Sequence, residues 1–184
     1  MSRNLVIVLV FATLGVTIGQ CIDIYLPSMP TMVTALHTTP AMIQLTLTIA
    51  FIAYGSVALV FGPLSDYFGR RVTALIGLGI FIAGSVFCVT AVNIYWLLFG
   101  RVLQGFGFAS ATGFSAPSIS DTFAGEELIR AYSYTGMAMA ITPIIAPVIG
   151  GYLQHYFNWR APFMFLFLSD IPHMVSKTYT SLQW

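Results

Sequence analysis

The chain has 184 residues, 58% of them hydrophobic and 7% charged, with a mean hydropathy of +0.87, whereas soluble chains carry about a quarter of their residues charged. This balance excludes a soluble globular domain and places the chain in a membrane. A net charge of +1 with scattered Lys and Arg excludes the basic face that nucleic-acid binding requires.

A membrane span needs about twenty mostly apolar residues to cross roughly 30 Å of hydrocarbon. The first candidate, Leu5 to Leu26, follows Arg3 and imitates a secretory leader. Its length and the Gln20 that precedes Cys21 predict an uncleaved helix instead. Cys21 and Cys88 both lie in apolar stretches and are assigned no role beyond that of small buried hydrophobes. Gly15, Gly19 and Asp23 share one face of this helix, and Tyr25 follows closely.

The second span, Ala41 to Phe61, aligns Gln44, Thr48, Phe51 and Gly55 on one face. The string GPLSDYFGRR, 62–71, then reads as a tight turn. Gly62 and Pro63 end the second helix, and Arg70 and Arg71 hold the start of the third at the lipid headgroups. The third span is Val72 to Ala91. The fourth, Tyr95 to Ile119, sets Arg101, Gly105, Ala109 and Gly113 at four-residue spacing, a pattern of small residues that admits a close neighbouring helix. The fifth is Arg130 to Leu153. A sixth begins at Ala161 and meets Ser169, Asp170, Pro172 and His173 after 168, too soon to span. The tail 169–184, SDIPHMVSKTYTSLQW, reads as aberrant, as a truncated or frame-shifted reading frame would leave.

Arg3, Arg70, Arg71 and Arg130 fall on one side of this arrangement and only Arg160 on the other, which predicts a cytoplasmic amino terminus. A shift of 89 residues superposes Gly62 on Gly151, Leu64 on Leu153, Tyr67 on Tyr156, Phe68 on Phe157 and Arg71 on Arg160. Three spans separate the copies, an odd number, so the second copy enters the membrane upside down. Inverted three-helix repeats are a design of secondary transporters.

Asp23 and Arg101 are the ionisable residues inside spans, each costing on the order of 3 kcal/mol by insertion scales. Both are expected to face protein, in the outer half of the membrane, either approaching each other or sharing a water-filled cavity. A carboxylate there, pulled one way by desolvation and the other by Arg101, can trade a proton for a cationic or polar substrate. Tyr25, Gln44 and Thr48 would supply hydrogen bonds to the cavity wall. The competing reading is a buried pair that fixes helix register, with Asp23 capping a helix end before Pro27 and Pro30.

These strings resemble the major facilitator superfamily, and within it the proton-coupled drug-efflux branch typified by Bcr/CflA bicyclomycin and chloramphenicol resistance transporters. GPLSDYFGRR matches the loop signature through Gly62, Asp66, Gly69, Arg70 and Arg71. RVLQGFGFA matches the fourth-helix signature through Arg101, Gln104, Gly105 and Gly107, and APVIGG the antiporter signature through Pro147, Gly150 and Gly151. DIYLPSMP, from Asp23 to Pro30, points to the branch.

The resemblance implies an all-α membrane bundle, the amino-terminal six-helix half (1–168) of a twelve-helix transporter, built from two inverted three-helix repeats with the sixth helix incomplete. It further implies that Asp66 and the arginines latch the cytoplasmic side, that Arg101 tunes proton exchange, that Pro147 to Gly151 let the fifth helix pack and bend, and that Asp23 helps to form the drug and proton site. The implied partners are drug-like hydrophobic or cationic molecules, protons, the bilayer of a bacterial inner membrane and the missing carboxy-terminal half. No cofactor or metal is implied, the proton gradient supplying the energy. Two other readings compete: a half-transporter that assembles as a homodimer, and a six-span intramembrane hydrolase with Ser115 as nucleophile and His155 as base.

Overall fold

The computed structural model describes residues 23–169, with the backbone alone at 58, 60–66, 68, 70, 71, 74 and 110–122. Most of the first predicted span and the tail from Asp170 lie outside the described residues. Every regular element among them is helical. A 3-10 turn, Leu26–Ser28, leads into α1 (Met29–Ala35), followed by α2 (Pro40–Phe68), α3 (Arg70–Val89), α4 (Ile94–Thr122), α5 (Gly125–Tyr156) and α6 (161–169).

Local chemistry fixes the helix starts. Thr39 is extended and its Oγ1 accepts from the Met42 amide, while Pro40, preset in φ, loses no hydrogen bond at the first helical position. Asn93 Oδ1 likewise accepts from the Trp96 amide at 2.8 Å and caps α4 after the short loop that follows α3.

The break between α2 and α3 departs from the sequence expectation. Gly62 and Pro63 do not end the second helix, whose backbone stays helical to Phe68. A proline removes one backbone donor and can be carried inside a long membrane helix whose neighbours hold it. What ends α2 is Gly69, at φ 85° and ψ 141°, close to a region that only glycine occupies without strain. The turn is therefore one residue long, and Arg70 already belongs to α3.

Helix α4 lies between α2 and α3 and packs extensively on both. A Cβ added to Gly100 would sit 2.8 Å from Cys88 Sγ and 3.0 Å from the Gly84 carbonyl oxygen, and one on Gly105 would sit 2.5 Å from the Ala50 carbonyl oxygen. Gly107 abuts Gly77 and Phe81 in the same way. The helices thus meet backbone to backbone on two sides of α4, as small residues permit.

Helix α5 begins at Gly125, earlier than expected, so that Arg130 lies inside it and pairs with Glu126 at 2.9 Å on an exposed face. It contains Pro143 and Pro147. Among the described residues Pro40–Val57 and Gly125–Tyr156 are long and apolar enough to cross a membrane, while Leu75–Val89 is apolar but shorter. One apolar cluster joins Tyr25, Met32, Leu36, Ile43, Cys88, Ala91, Ile94, Leu97, Trp159 and Phe163, gathering three interhelical loops at one end of the bundle. A second joins Ile24, Phe81, Ala146 and Leu166.

Candidate functional site

Arg101, two turns into α4, is 2% exposed. Its Nη1 donates to Gln104 Oε1 at 3.0 Å, one turn further along the same helix. Its Cζ lies 3.5 Å from the centroid of the Tyr25 ring and 4.8 Å from that of Phe163. Both distances are within the range of an attraction between a cation and the negative face of an aromatic ring.

The network extends from there. Gln104 Nε2 donates to Ser85 Oγ at 3.0 Å, and the Ser85 hydroxyl donates to the Phe81 carbonyl, also at 3.0 Å. The Cys88 thiol, which the sequence left without a role, points at Gln104 Oε1 at 3.5 Å. On the other side the Thr46 hydroxyl donates to the Ile43 carbonyl at 2.6 Å. Its single proton is thereby used, so the Tyr25 hydroxyl is the donor in the 3.3 Å contact between Tyr25 and Thr46. Arg101 consequently sits at the centre of a buried chain running from α2, through Tyr25 and α4, to α3. Such networks hold helices in one register when their members are satisfied.

A cavity of about 20 Å³ opens beside Arg101 and Gln104, walled by Leu47, Phe51, Tyr54 and Phe108 among others. It has room for about one water molecule and none for an organic substrate.

Asp23 is half-buried, forms no ion pair with Arg101 and does not line this cavity. Among the described residues, then, no ion pair joins the two charges. The reason is angular: Ile24 and Tyr25 are fully buried, and a residue two positions before Tyr25 at a helix end points to another side. Gln44 and Thr48 are exposed, together with Phe51 and Gly55, and Thr48 Oγ1 bonds only to the Gln44 carbonyl of its own helix, at 3.4 Å. Thr46, two residues from each, takes the inward place.

In the loop signature Gly62 and Asp66 are helical in backbone, Gly69 makes the turn, and Arg70 and Arg71 open α3. The side chains of Asp66, Arg70 and Arg71 lie outside the described ones. In the antiporter signature Gly150 rests against the backbone of Ile24, where any Cβ would collide, Gly151 faces Pro27, and Pro147 is half-buried within α5. That stretch is thus packed against the segment carrying Tyr25.

Arg160, the arginine read on the opposite side from the others, is half-buried and bonds inward. Its Nη2 donates to the Ala91 carbonyl at 2.8 Å and its Cζ lies 4.3 Å from the Trp159 ring centroid. Thr46, Ser85 and Phe163 escaped sequence reasoning. Nothing distinguishes Thr46 from Thr48 by type, and Phe163 falls in the segment read as a damaged helix. Of the hydrolase pair, Ser115 has no described side chain, and His155 is exposed on the last turn of α5, edge-on to Tyr156.

The profile of the Major Facilitator Superfamily matches residues 5–169. The chain belongs to this superfamily. It is 31% identical over 166 residues to multidrug resistance protein D of Escherichia coli, covering 90% of this chain and 42% of that protein. It is 36% identical over 150 residues to a chloramphenicol resistance protein of Pseudomonas aeruginosa, covering 81% of this chain and 36% of the relative. A bicyclomycin resistance protein homolog of Haemophilus influenzae is 33% identical over 146 residues, covering 77% and 36%. The chain thus spans 36–42% of the length of these relatives. Major Facilitator Superfamily members are membrane transporters and not enzymes, which removes the hydrolase reading of Ser115 and His155.

Proposed function

We propose that the chain is the amino-terminal half of a proton-coupled drug exporter of a bacterial inner membrane, working by alternating access with a carboxy-terminal half. The observation that carries this reading is the buried Arg101, a charge kept inside an apolar bundle at an insertion cost of ~3 kcal/mol and held there by a polar network. The fraction of each relative's length that the chain covers supports a half. The ends of α2 and α5 support an inverted repeat: the shift of 89 residues puts Phe68 on Phe157, and the two helices stop at Phe68 and Tyr156.

The amino terminus lies in the cytoplasm, with Arg3, Arg70, Arg71 and Arg130 on that side. The one arginine assigned to the opposite side, Arg160, is supported as no exception by its inward bond to Ala91. Substrates are small hydrophobic or cationic drug-like molecules, in keeping with the resistance names of the relatives. They bind between the halves, where the exposed face of Gln44, Thr48 and Phe51 forms one wall; the small cavity within this half accords with that division. Asp23 takes up and releases the proton at the edge of the first span. Arg101, fixed beneath Tyr25, sets the positive field in which the first and fourth helices meet. Asp66, against a helix amino end in the other half, latches the cytoplasmic side.

The test is drug-dependent proton flux in vesicles holding this chain continued into a second half. Arg101→Ala is expected to lower the flux roughly 10- to 100-fold, the size of effect that loss of a hydrogen-bonded charged group produces, and Asp23→Asn, which leaves no carboxyl to carry the proton, to lower it at least as far. Flux unchanged in both variants refutes the site.

A further inference from the structure

Tyr25 and Phe163 are both fully buried, their ring centroids are 5.4 Å apart, and their planes are tilted by 36°. The guanidinium of Arg101 lies over the Tyr25 face and against Phe163 on a neighbouring side, so the two rings form a corner around it. Phe163 is in turn held in place from behind. Trp159, four residues earlier in the turn before α6, is nearly buried and meets it edge-on at 6.4 Å and 84°. Arg160 lies over the Trp159 ring and bonds the Ala91 carbonyl just beyond the end of α3, which pins the turn from which α6 departs. Pro162, itself buried, lies in the first turn of that helix.

We infer that Phe163 is a positioning residue for Arg101: with Tyr25 it forms a corner clamp, the Tyr25 face over the guanidinium and Phe163 against a neighbouring side of it, and residues 159–163 form the brace that aims the clamp. This inference rests on the coupling role proposed above for Arg101. The negative face of an aromatic ring attracts a cation most strongly where water is excluded, which is the setting of these three side chains. Gln104 fixes one edge of the guanidinium, and the two rings fix its plane. Any change in the tilt of α6 would then be felt at Arg101 without a charge moving.

Arginine side-chain NMR of the 184-residue chain in detergent micelles reads the clamp directly, with the Arg101 signals assigned through Arg101→Lys. Protons beside an aromatic ring feel its ring current, so Phe163→Leu is expected to move the Arg101 signals at unchanged helicity. Signals that stay in place overturn the clamp. Should Phe163→Leu fail to fold, 3,4,5-trifluorophenylalanine at 163 keeps the ring's shape while depleting its negative face. The clamp then requires faster exchange of the Arg101 side-chain protons with water; an unaltered rate, as packing alone would give, overturns it. In the chain joined to a second half, the fluorinated ring is expected to lower drug-dependent proton flux about tenfold, with Phe163→Tyr recovering most of it. A moved resonance with unaltered flux keeps the clamp and removes Arg101 from coupling, so the two readings fail separately.

Discussion

Arg101 gives up bulk water for contacts that include one amide oxygen and two ring faces, and the amide is itself held by Ser85 across the α3–α4 crossing. That crossing leaves no spare room. In Gly100→Ala the new methyl would press on Cys88 Sγ and the Gly84 carbonyl, forcing the helices apart just where Gln104 reaches Ser85. Overpacking of this kind costs about 1–3 kcal/mol. The variant is expected to unfold at lower denaturant in micelles, and equal stability would show that the backbones are not in contact. The sequence pointed to Arg101 because a charge in an apolar run is conspicuous. Asp23 stood out for the same reason, whereas the ring that lies over Arg101, that of Tyr25, did not. A ring that serves as a counter-surface for a cation has no compositional signature, and neither has the inward choice of Thr46 over Gln44 and Thr48.

Among elements, the spans were legible and their ends were not. Hydrophobic runs gave four helices to within a few residues at most ends, because a bilayer-length apolar stretch has one stable backbone form. The junction of α2 and α3 differs from the expectation because glycine and proline at 62 and 63 are strong breakers in isolated helices, while here the helical backbone runs on to Phe68. Gly69 is the true break, and its conformation sets a test. Gly69→Ala meets no steric obstacle, since nothing lies within 4 Å of the added Cβ, so only the backbone angle opposes it. The expected loss is about 1–3 kcal/mol of stability, read as an earlier thermal transition in micelles. An unshifted transition would mean that the turn adopts another shape.

Taken whole, the molecule leaves a great deal of apolar surface uncovered. Met137, Ile141, Ile144, Ile145 and Val148 of α5 are all exposed, as are Leu59 of α2 and Tyr95 and Phe99 of α4. Monomers in water rarely tolerate such patches. The chain is therefore expected to remain in the membrane pellet through an alkaline carbonate wash, which strips peripheral proteins. Recovery in the supernatant would count against a membrane-spanning half. The bond from Arg160 to the Ala91 carbonyl also has a meaning for biogenesis, because its two ends lie 69 residues apart. At ordinary elongation rates of about 5–20 residues per second, Arg160 follows Ala91 by roughly 3–14 s, and the completed α3–α4 hairpin waits about 2–8 s for its fastening. Throughout that interval the translocon holds a hairpin whose end is still open, and a defect at Arg160 would surface first as slow assembly rather than as a fault in carriage.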